Sequence, residues 1–254
     1  MTYCVALKLD EGLVFLSDTR TNAGVDDVSR YKKMFTWEIP GERAVVMMTA
    51  GNLSITQGVI TRLNVAIEES APEAPTETIL TAPDLFRIAQ ITGRVMRDLV
   101  GKHGDAIEKE GASSGASIIL GGQIDGQPPR LFLIYSAGNF IECGEDTPFL
   151  QIGEIKYGKP ILDRTITRET SLDEGTRTAL VSMDSSVRSN LSVGPPFDLV
   201  VVGKDTCRLG VARRIEDTDP TFRAVSDGWS AALSRAINEL PRVDHWFDEA
   251  AEDH

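Results

Sequence analysis

The run AVVMMTA at residues 44–50 constrains the fold of this chain more than any other stretch. It is almost wholly apolar, which is typical of a strand covered on both faces. The run KMFTWEI precedes it, and Pro40 and Gly41 between the two runs predict a turn. We therefore expect a second antiparallel strand pair here, with its later strand buried on both faces.

The preceding and following segments supply an N-terminal hairpin and two helices. Residues 2–9 alternate apolar and smaller or polar side chains, and Asp10, Glu11 and Gly12 separate them from the run LVFLS, which predicts a hairpin. Asn52 and Ser54 are suitable N-caps for a helix with an apolar stripe. A second helix is expected from Pro83.

The second half of the chain continues with strands, a helical region, further strands and a last helix. Short apolar runs from ASIILGGQI to FLQIG predict a meander, and a helical region at 156–187 is broken near Thr170, where Ser171 offers a new N-cap. Two more strands and a helix at 225–240 follow. The order predicts an α+β protein built as a four-layer αββα sandwich, because each helix stripe then finds a sheet face to cover. We expect one domain over residues 1–240 and an acidic tail at 241–254.

Composition excludes several classes of protein. The chain has 254 residues, 41% hydrophobic and 25% charged, with a net charge of -12, as expected of a soluble globular protein and not of a nucleic-acid binder. No apolar run is long enough to span a bilayer, and no export signal is evident. Three widely spaced cysteines without a CxxC pair favour the cytoplasm. No cofactor is indicated, and a metal site is not expected because the three histidines lack ligand spacing. The three cysteines are Cys4, Cys143 and Cys207, and the three histidines are His103, His245 and His254.

Three residues near the N-terminus carry the candidate chemistry. A Thr2 exposed by removal of Met1 combines a hydroxyl nucleophile with an α-amine that serves as its base. Asp18 ends an apolar strand, and Lys33 lies about one strand later. Each residue alone has a more ordinary interpretation: most chains that begin Met-Thr are not enzymes, Asp18 suits a turn cap, and the Lys32-Lys33 pair suits a solvated surface.

Taken together, the residues resemble the proteasome β-subunit family. The family has an N-terminal Thr, D-S-R-x-T-x-G, a K-K pair, a strand ending A-G and a late Ser followed by glycine. Here the pattern reads Thr2, Asp18-Thr19-Arg20-Thr21-Asn22-Ala23-Gly24, Lys32-Lys33, Ala50-Gly51 and Ser192-Val193-Gly194. The start TYCV, the string SDTRTNAG and the run RSNLSVGPP are most similar to the bacterial proteasome homologues called Anbu.

The resemblance implies the N-terminal nucleophile hydrolase fold and a set of site residues. Thr2, Asp18 and Lys33 would be catalytic, the Gly51 amide would donate to the oxyanion, and further support would come from Arg20, Ser189 and Ser192. Of the two lysines, the family pattern selects Lys33 to point into the site. Two departures are evident: Glu154 stands where the family has Ser, and Ser189 where it has Asp.

The function implied is that of a self-assembling, proteasome-like threonine peptidase that cleaves peptide bonds in peptides or unfolded proteins. Two alternatives stay open. One is a structural or adaptor particle of the same fold with a weak or vestigial site. The other is an N-terminal-nucleophile amidase acting on small amides. We expect a homo-oligomer, either a closed ring or an open helix, since a head-to-tail contact makes one or the other according to its rotation angle.

Overall fold

The computed structural model describes residues 2–22, 28–71 and 76–244, which form twelve strands and five helices. The strands are β1 (Tyr3–Leu9), β2 (Gly12–Asp18), β3 (Arg20–Asn22), β4 (Val28–Arg30), β5 (Met34–Ile39), β6 (Arg43–Gly51), β7 (Ala116–Ile124), β8 (Arg130–Tyr135), β9 (Phe140–Glu142), β10 (Phe149–Gly153), β11 (Phe197–Gly203) and β12 (Val211–Ile215). The helices are α1 (Leu53–Glu68), α2 (Leu85–Lys109), α3 (Lys159–Thr165), α4 (Leu172–Ser189) and α5 (Pro220–Glu239).

Ten of these strands form two antiparallel sheets. Sheet I has the order β10-β1-β2-β11-β12, and sheet II has the order β5-β6-β7-β8-β9. The predicted N-terminal hairpin is present, with Cys4 opposite Ser17 and Leu9 opposite Gly12. The predicted β5–β6 pair is present as well. The predicted meander holds for β7, β8 and β9 but is wrong for FLQIG, which forms β10 and pairs with β1 in sheet I. The fold is therefore a mixed α/β structure with antiparallel sheets.

Alternate residues of the central strands pack into different hydrophobic clusters. On β1, Val5 and Leu7 pack with Leu180 and Met183 of α4, whereas the other face joins a cluster that contains residues of both sheets. On β6, Val45 and Met47 pack with residues of α1 and α2, and Val46 and Met48 join the shared cluster. The run at 44–50 is thus buried on both faces, as its composition predicts.

Side-chain caps explain where the helices begin. Asn52 accepts a hydrogen bond from the Ile55 amide at the start of α1, and Ser171 accepts one from the Glu174 amide at the start of α4. Ser54, the other cap considered for α1, instead donates to the Asn52 side chain. Asp219 caps α5, and Pro220 occupies its first turn, so this helix begins five residues earlier than expected from its apolar stripe.

Two details differ from the sequence-based expectation near the site. A two-stranded ribbon, β3–β4, follows β2, with Arg20 opposite Arg30. Lys33 precedes β5 instead of lying within it, although its carbonyl still accepts a hydrogen bond from the Thr49 amide at 2.9 Å. Most of the predicted acidic tail, together with His245 and His254, lies outside the described residues.

Features of other protein classes are not found in the described ranges. No helix there is long and apolar enough to cross a membrane. No group of three or more His, Cys, Asp or Glu residues is arranged to hold a metal ion within residues 2–22, 28–71 and 76–244.

Candidate active site

Thr2 is held against the edge strand of sheet I by its own carbonyl group. That carbonyl accepts a hydrogen bond of 2.6 Å from the Glu154 amide, directly after β10. Gly153 makes this approach possible: its φ is +85°, and a β-carbon built on it would lie 1.9 Å from the Thr2 carbonyl oxygen. Only glycine fits here, because other residues rarely adopt this φ and carry the clashing carbon.

The next residue, Tyr3, fixes the main chain beside Thr2 through its buried side chain. Its ring is completely buried, and its hydroxyl oxygen lies 2.6 Å from Ser182 Oγ and 2.6 Å from Gln151 Nε2. Burial raises the pKa of the phenol, so Tyr3 stays neutral at physiological pH. Sequence reasoning missed this anchor, because its partners on β10 and α4 are distant in the chain.

Asp18 collects two hydrogen bonds on one carboxylate oxygen. Its Oδ1 accepts from the Tyr3 amide at 3.0 Å and from Lys33 Nζ at 2.8 Å. Burial, the largest influence, raises the pKa of Asp18, while the charge and hydrogen bond of Lys33 and the amides of Tyr3 and Gly194 act in the opposite direction. Oδ2 has no hydrogen-bond partner among the described residues.

Lys33 and Lys32 have opposite environments. Lys33 is 3% exposed, and its ammonium also donates to the Arg20 carbonyl oxygen. Lys32 is exposed, with its ammonium 5.5 Å from the centre of the Phe35 ring. The lysine that the family pattern selects is therefore the one that reaches Asp18.

Arg20 links this pair to the loop after α4. Its Nη1 donates to the Leu191 carbonyl oxygen at 3.0 Å, and its guanidinium packs against Gly194. The same arginine offers its own carbonyl to Lys33. Its side chain and main chain thus connect the loop at 190–194 with the Asp18–Lys33 pair.

The two positions that depart from the family pattern have different surroundings. Glu154 is 8% exposed, and its Oε2 accepts a hydrogen bond of 3.2 Å from Asn190 Nδ2. Asn190 Oδ1 in turn accepts from the Ser192 amide at 2.9 Å. Ser189, the last residue of α4, is exposed, and its hydroxyl makes no hydrogen bond within the described part of the chain.

A cleft of about 270 Å³ brings Thr2, Lys33 and Gly153 together. Gly51 lies at its wall with a φ of +97°, at the end of β6 and beside the start of α1. Lys33 is the one charged residue that lines the cleft among those described; the other residues are Thr2, Thr21, Thr49, Ala50, Gly51, Leu53, Thr56 and Gly153.

A second cleft, of about 290 Å³, lies at the other end of β1 around Lys8 and Asp10. Its charged groups are largely paired, with Arg130 bound to Glu142 and Arg168 bound to Asp10. None of the described residues that line it carries a hydroxyl, thiol or imidazole group. Nucleophilic chemistry therefore points to the first cleft.

The structure brings together Thr2, Lys33 and Gly51 in one cleft, with Asp18 and Arg20 behind Lys33. Ser192 belongs to the neighbouring loop through its amide, whereas Ser189 takes no part in these contacts. Gly153, Tyr3 and Asn190 were not anticipated as site residues. The only sequence feature that indicates a positive φ at position 153 is the glycine at the end of the run FLQIG.

Comparisons with solved structures agree over nearly the whole chain. Anbu from Hyphomicrobium sp. strain MC1 is 45% identical, with 94% of this chain and 98% of that chain covered and a TM-score of 0.85. Anbu, described as an ancestral β-subunit, from Yersinia bercovieri is 39% identical, with 95% and 98% covered and a TM-score of 0.88. The helical assembly of the Anbu complex from Pseudomonas aeruginosa is 43% identical, with 94% and 97% covered and a TM-score of 0.87.

No protein-family model and no curated protein matches the chain. The structural matches are decisive all the same, because identities of 39–45% extend over more than nine-tenths of both chains. The chain belongs to the Anbu family of proteasome-like proteins.

Proposed function

We propose that this chain is the subunit of a proteasome-like threonine peptidase that becomes active when Met1 is removed. The observation that carries the proposal is the buried contact of 2.8 Å between Lys33 Nζ and Asp18 Oδ1, behind a cleft that Thr2 and Gly51 also line. A hydroxyl, a fixed cation and a main-chain donor are the parts that acyl transfer needs.

The reaction begins with attack of Thr2 Oγ on the carbonyl carbon of a peptide bond. The α-amine of Thr2 takes the hydroxyl proton, and the Lys33 ammonium favours the developing negative charge on Oγ. The Gly51 amide donates to the oxyanion of the tetrahedral intermediate. As the intermediate collapses, the protonated amine returns its proton to the leaving nitrogen, which leaves an ester on Thr2. The neutral amine then takes a proton from a water molecule, whose oxygen attacks the ester carbonyl carbon. The acyl group leaves as a carboxylic acid, and the proton returns to Thr2 Oγ.

Asp18 and Arg20 have supporting roles in this scheme. Asp18 holds Lys33 in place and compensates its charge in a site with little access to water. Arg20 fixes the loop at 190–194, on which Ser192 lies. For the architecture we propose a four-layer αββα sandwich that forms a single domain over residues 1–240. The division of the core into one cluster shared by the two sheets and two helix-facing clusters supports it.

Self-assembly is part of the proposal. A relative that is 43% identical forms a helical assembly, and we infer a homo-oligomer for this chain, ring or open helix, with its sites facing a shared interior. The substrates would then be peptides or unfolded chains. All three cysteines are free and buried, which supports a reducing compartment such as the cytoplasm.

A covalent probe tests the chemistry directly. The protein is produced as a cleavable fusion that leaves Thr2 first, intact mass verifies this start, and a peptide epoxyketone is added, because this probe needs a hydroxyl and an amine on one residue. We expect one adduct per chain in the wild type and none in Thr2→Ala. Labelling of Thr2→Ala at the wild-type rate would place the nucleophile elsewhere.

One observation favours the alternative of a particle with a weak or vestigial site: Ser189 is exposed and does not support Thr2. Under that alternative the wild type assembles but is not labelled. Under the small-amide hydrolase alternative, the wild type is labelled but does not assemble, so the labelled species is a monomer.

A further inference from the structure

The residue that departs most from the proteasome pattern lies in direct contact with the nucleophile. The Glu154 amide donates to the Thr2 carbonyl oxygen at 2.6 Å, next to Gly153, whose missing side chain allows the two strands to approach. The main chain of Thr2 is thus fixed by the residue that carries this carboxylate.

The carboxylate itself is buried and oriented. Glu154 is 8% exposed, Oε1 accepts from the Lys156 amide at 3.3 Å, and Oε2 accepts from Asn190 Nδ2 at 3.2 Å. No lysine or arginine forms an ion pair with it among the described residues. Its negative charge is therefore stabilised by neutral donors and is not cancelled locally.

This charge is close enough to influence the amine of a mature Thr2. One hydrogen bond joins the two main chains, so ordinary bond lengths place the carboxylate within roughly 12 Å of the Thr2 nitrogen. That distance is comparable to the Debye length of about 8–10 Å at ordinary salt, and a buried charge is screened less than an exposed one. Removal of the charge should destabilise the ammonium form of the amine.

We propose that Glu154 is a positioning residue for Thr2: its amide fixes the Thr2 carbonyl, and its carboxylate, held by Asn190, stabilises the α-ammonium group that Met1 removal exposes. This inference rests on the proposed function only in assuming that Thr2 becomes the first residue. It assigns to Glu154 a role at the amine that the serine of the family pattern, which has no charge, does not share.

Other charged groups surround the same position. Asp18 on β2 and Lys33 before β5 form a buried pair, Arg20 lies on β3, Lys156 follows Glu154, and Arg188 on α4 is paired with Asp184. These groups are unchanged when Glu154 is replaced. A shift in Glu154→Gln together with agreement between Glu154→Asp and the wild type would therefore assign the effect to the Glu154 charge.

The test measures the pKa of the Thr2 α-amine without any turnover. Protein that begins at Thr2 is reductively methylated with ¹³C-formaldehyde, and the methyl resonance of the N-terminal amine is titrated by NMR. In Glu154→Gln we expect this pKa to fall by about 0.3–1 unit relative to the wild type, the size of one unit charge at this range. Glu154→Asp, which keeps the charge, should stay near the wild type.

Glu110→Gln is the matched control, because Glu110 is exposed at the end of α2 and its loss also removes one carboxylate. Its titration should coincide with that of the wild type. Circular dichroism shows whether each variant folds. If Glu154→Gln does not fold, Glu154→Ser, which also removes the charge but has a smaller side chain, tests the effect on the amine pKa instead.

Equal pKa values in the wild type and the charge-removing variants would overturn the inference. A downward shift of similar size in Glu110→Gln would overturn it too, since the effect would then be one of net charge. Failure of the epoxyketone to label the wild type, with the shift still present, would defeat the peptidase proposal and leave the role of Glu154 at the amine intact.

Discussion

Gly153 approaches Thr2 so closely that a single added carbon would lie 1.9 Å from the Thr2 carbonyl oxygen. Gly153→Ala should therefore displace Thr2 and place alanine at a φ of +85°, a strained value. We expect loss of epoxyketone labelling and a loss of stability of about 1–3 kcal/mol, measured by urea denaturation. Gly144→Ala is the control, because its new carbon meets nothing within 4 Å. Equal labelling of the two variants would contradict the proposed seating of Thr2.

The two adjacent lysines provide a second comparison. Lys33→Ala leaves the buried Asp18 carboxylate without its cation, so it should abolish labelling and cost about 3–5 kcal/mol of folding free energy. Lys32→Ala removes an exposed ammonium near Phe35 and should cost less than about 1 kcal/mol, with labelling retained. The reverse pattern would mean that Lys32 is the functional residue.

Replacement of the whole buried pair should separate stability from function. Asp18→Asn combined with Lys33→Met removes two buried charges, and such exchanges are often neutral or stabilising by about 1–4 kcal/mol. We expect this double variant to fold stably and to lose labelling. A wild-type level of labelling would show that neither charge serves catalysis.

The pH dependence of that stability difference has a definite sign. Burial raises the pKa of Asp18 in the folded protein above its value in the unfolded chain, so stability from this group is present at low pH and lost as pH rises through the folded pKa. The advantage of the double variant should therefore grow as the pH rises above about 4, the ordinary pKa of an aspartate. Urea denaturation at several pH values measures it, and an advantage that shrinks over this range would contradict the raised pKa.

The assembly can be examined in solution. A 27.7 kDa chain that repeats a head-to-tail contact should elute as a species well above a dimer in size exclusion with light scattering. Runs at several protein concentrations distinguish a closed ring, which has a fixed mass, from an open helix, whose mass grows with concentration. A monomer at all concentrations would contradict the compartmental peptidase and favour the small-amide hydrolase.

Much of the fold could be predicted from the sequence because its signals are local. The buried run of β6, the caps Asn52 and Ser171 and the alternation in β1 depend on residues a few positions apart. The β3–β4 ribbon was not predicted, since strands of three residues carry no periodic pattern. Asp219 and Pro220 are a local signal for the start of α5, but the predicted start was taken from the apolar stripe, which begins later.

The site was predictable only in part, for a different reason. Thr2, Asp18 and Lys33 were selected through a family pattern. The β1–β2 pairing brings Asp18 next to Tyr3, whereas Lys33 reaches Asp18 from the segment before β5. The contacts of Glu154 with Asn190 and of Tyr3 with Ser182 join residues 36 and 179 positions apart. Spacing carries no information at such separations, so only the three-dimensional arrangement reveals them.

The burial of Tyr3 has a consequence for when Met1 can be removed from the subunit. The residue that follows Thr2 is buried, and its amide donates to Asp18, so an enzyme that must bind Tyr3 in an extended segment is hindered once folding is complete. Under the proposed function, we therefore expect removal of Met1 to compete with folding and to be fastest before Tyr3 is buried. Intact mass should show that methionine aminopeptidase trims Met1-bearing chains far faster when they are held unfolded in mild urea than when native. A subunit that folds first would keep Met1, and the fraction of competent sites would then be set before the proposed assembly forms.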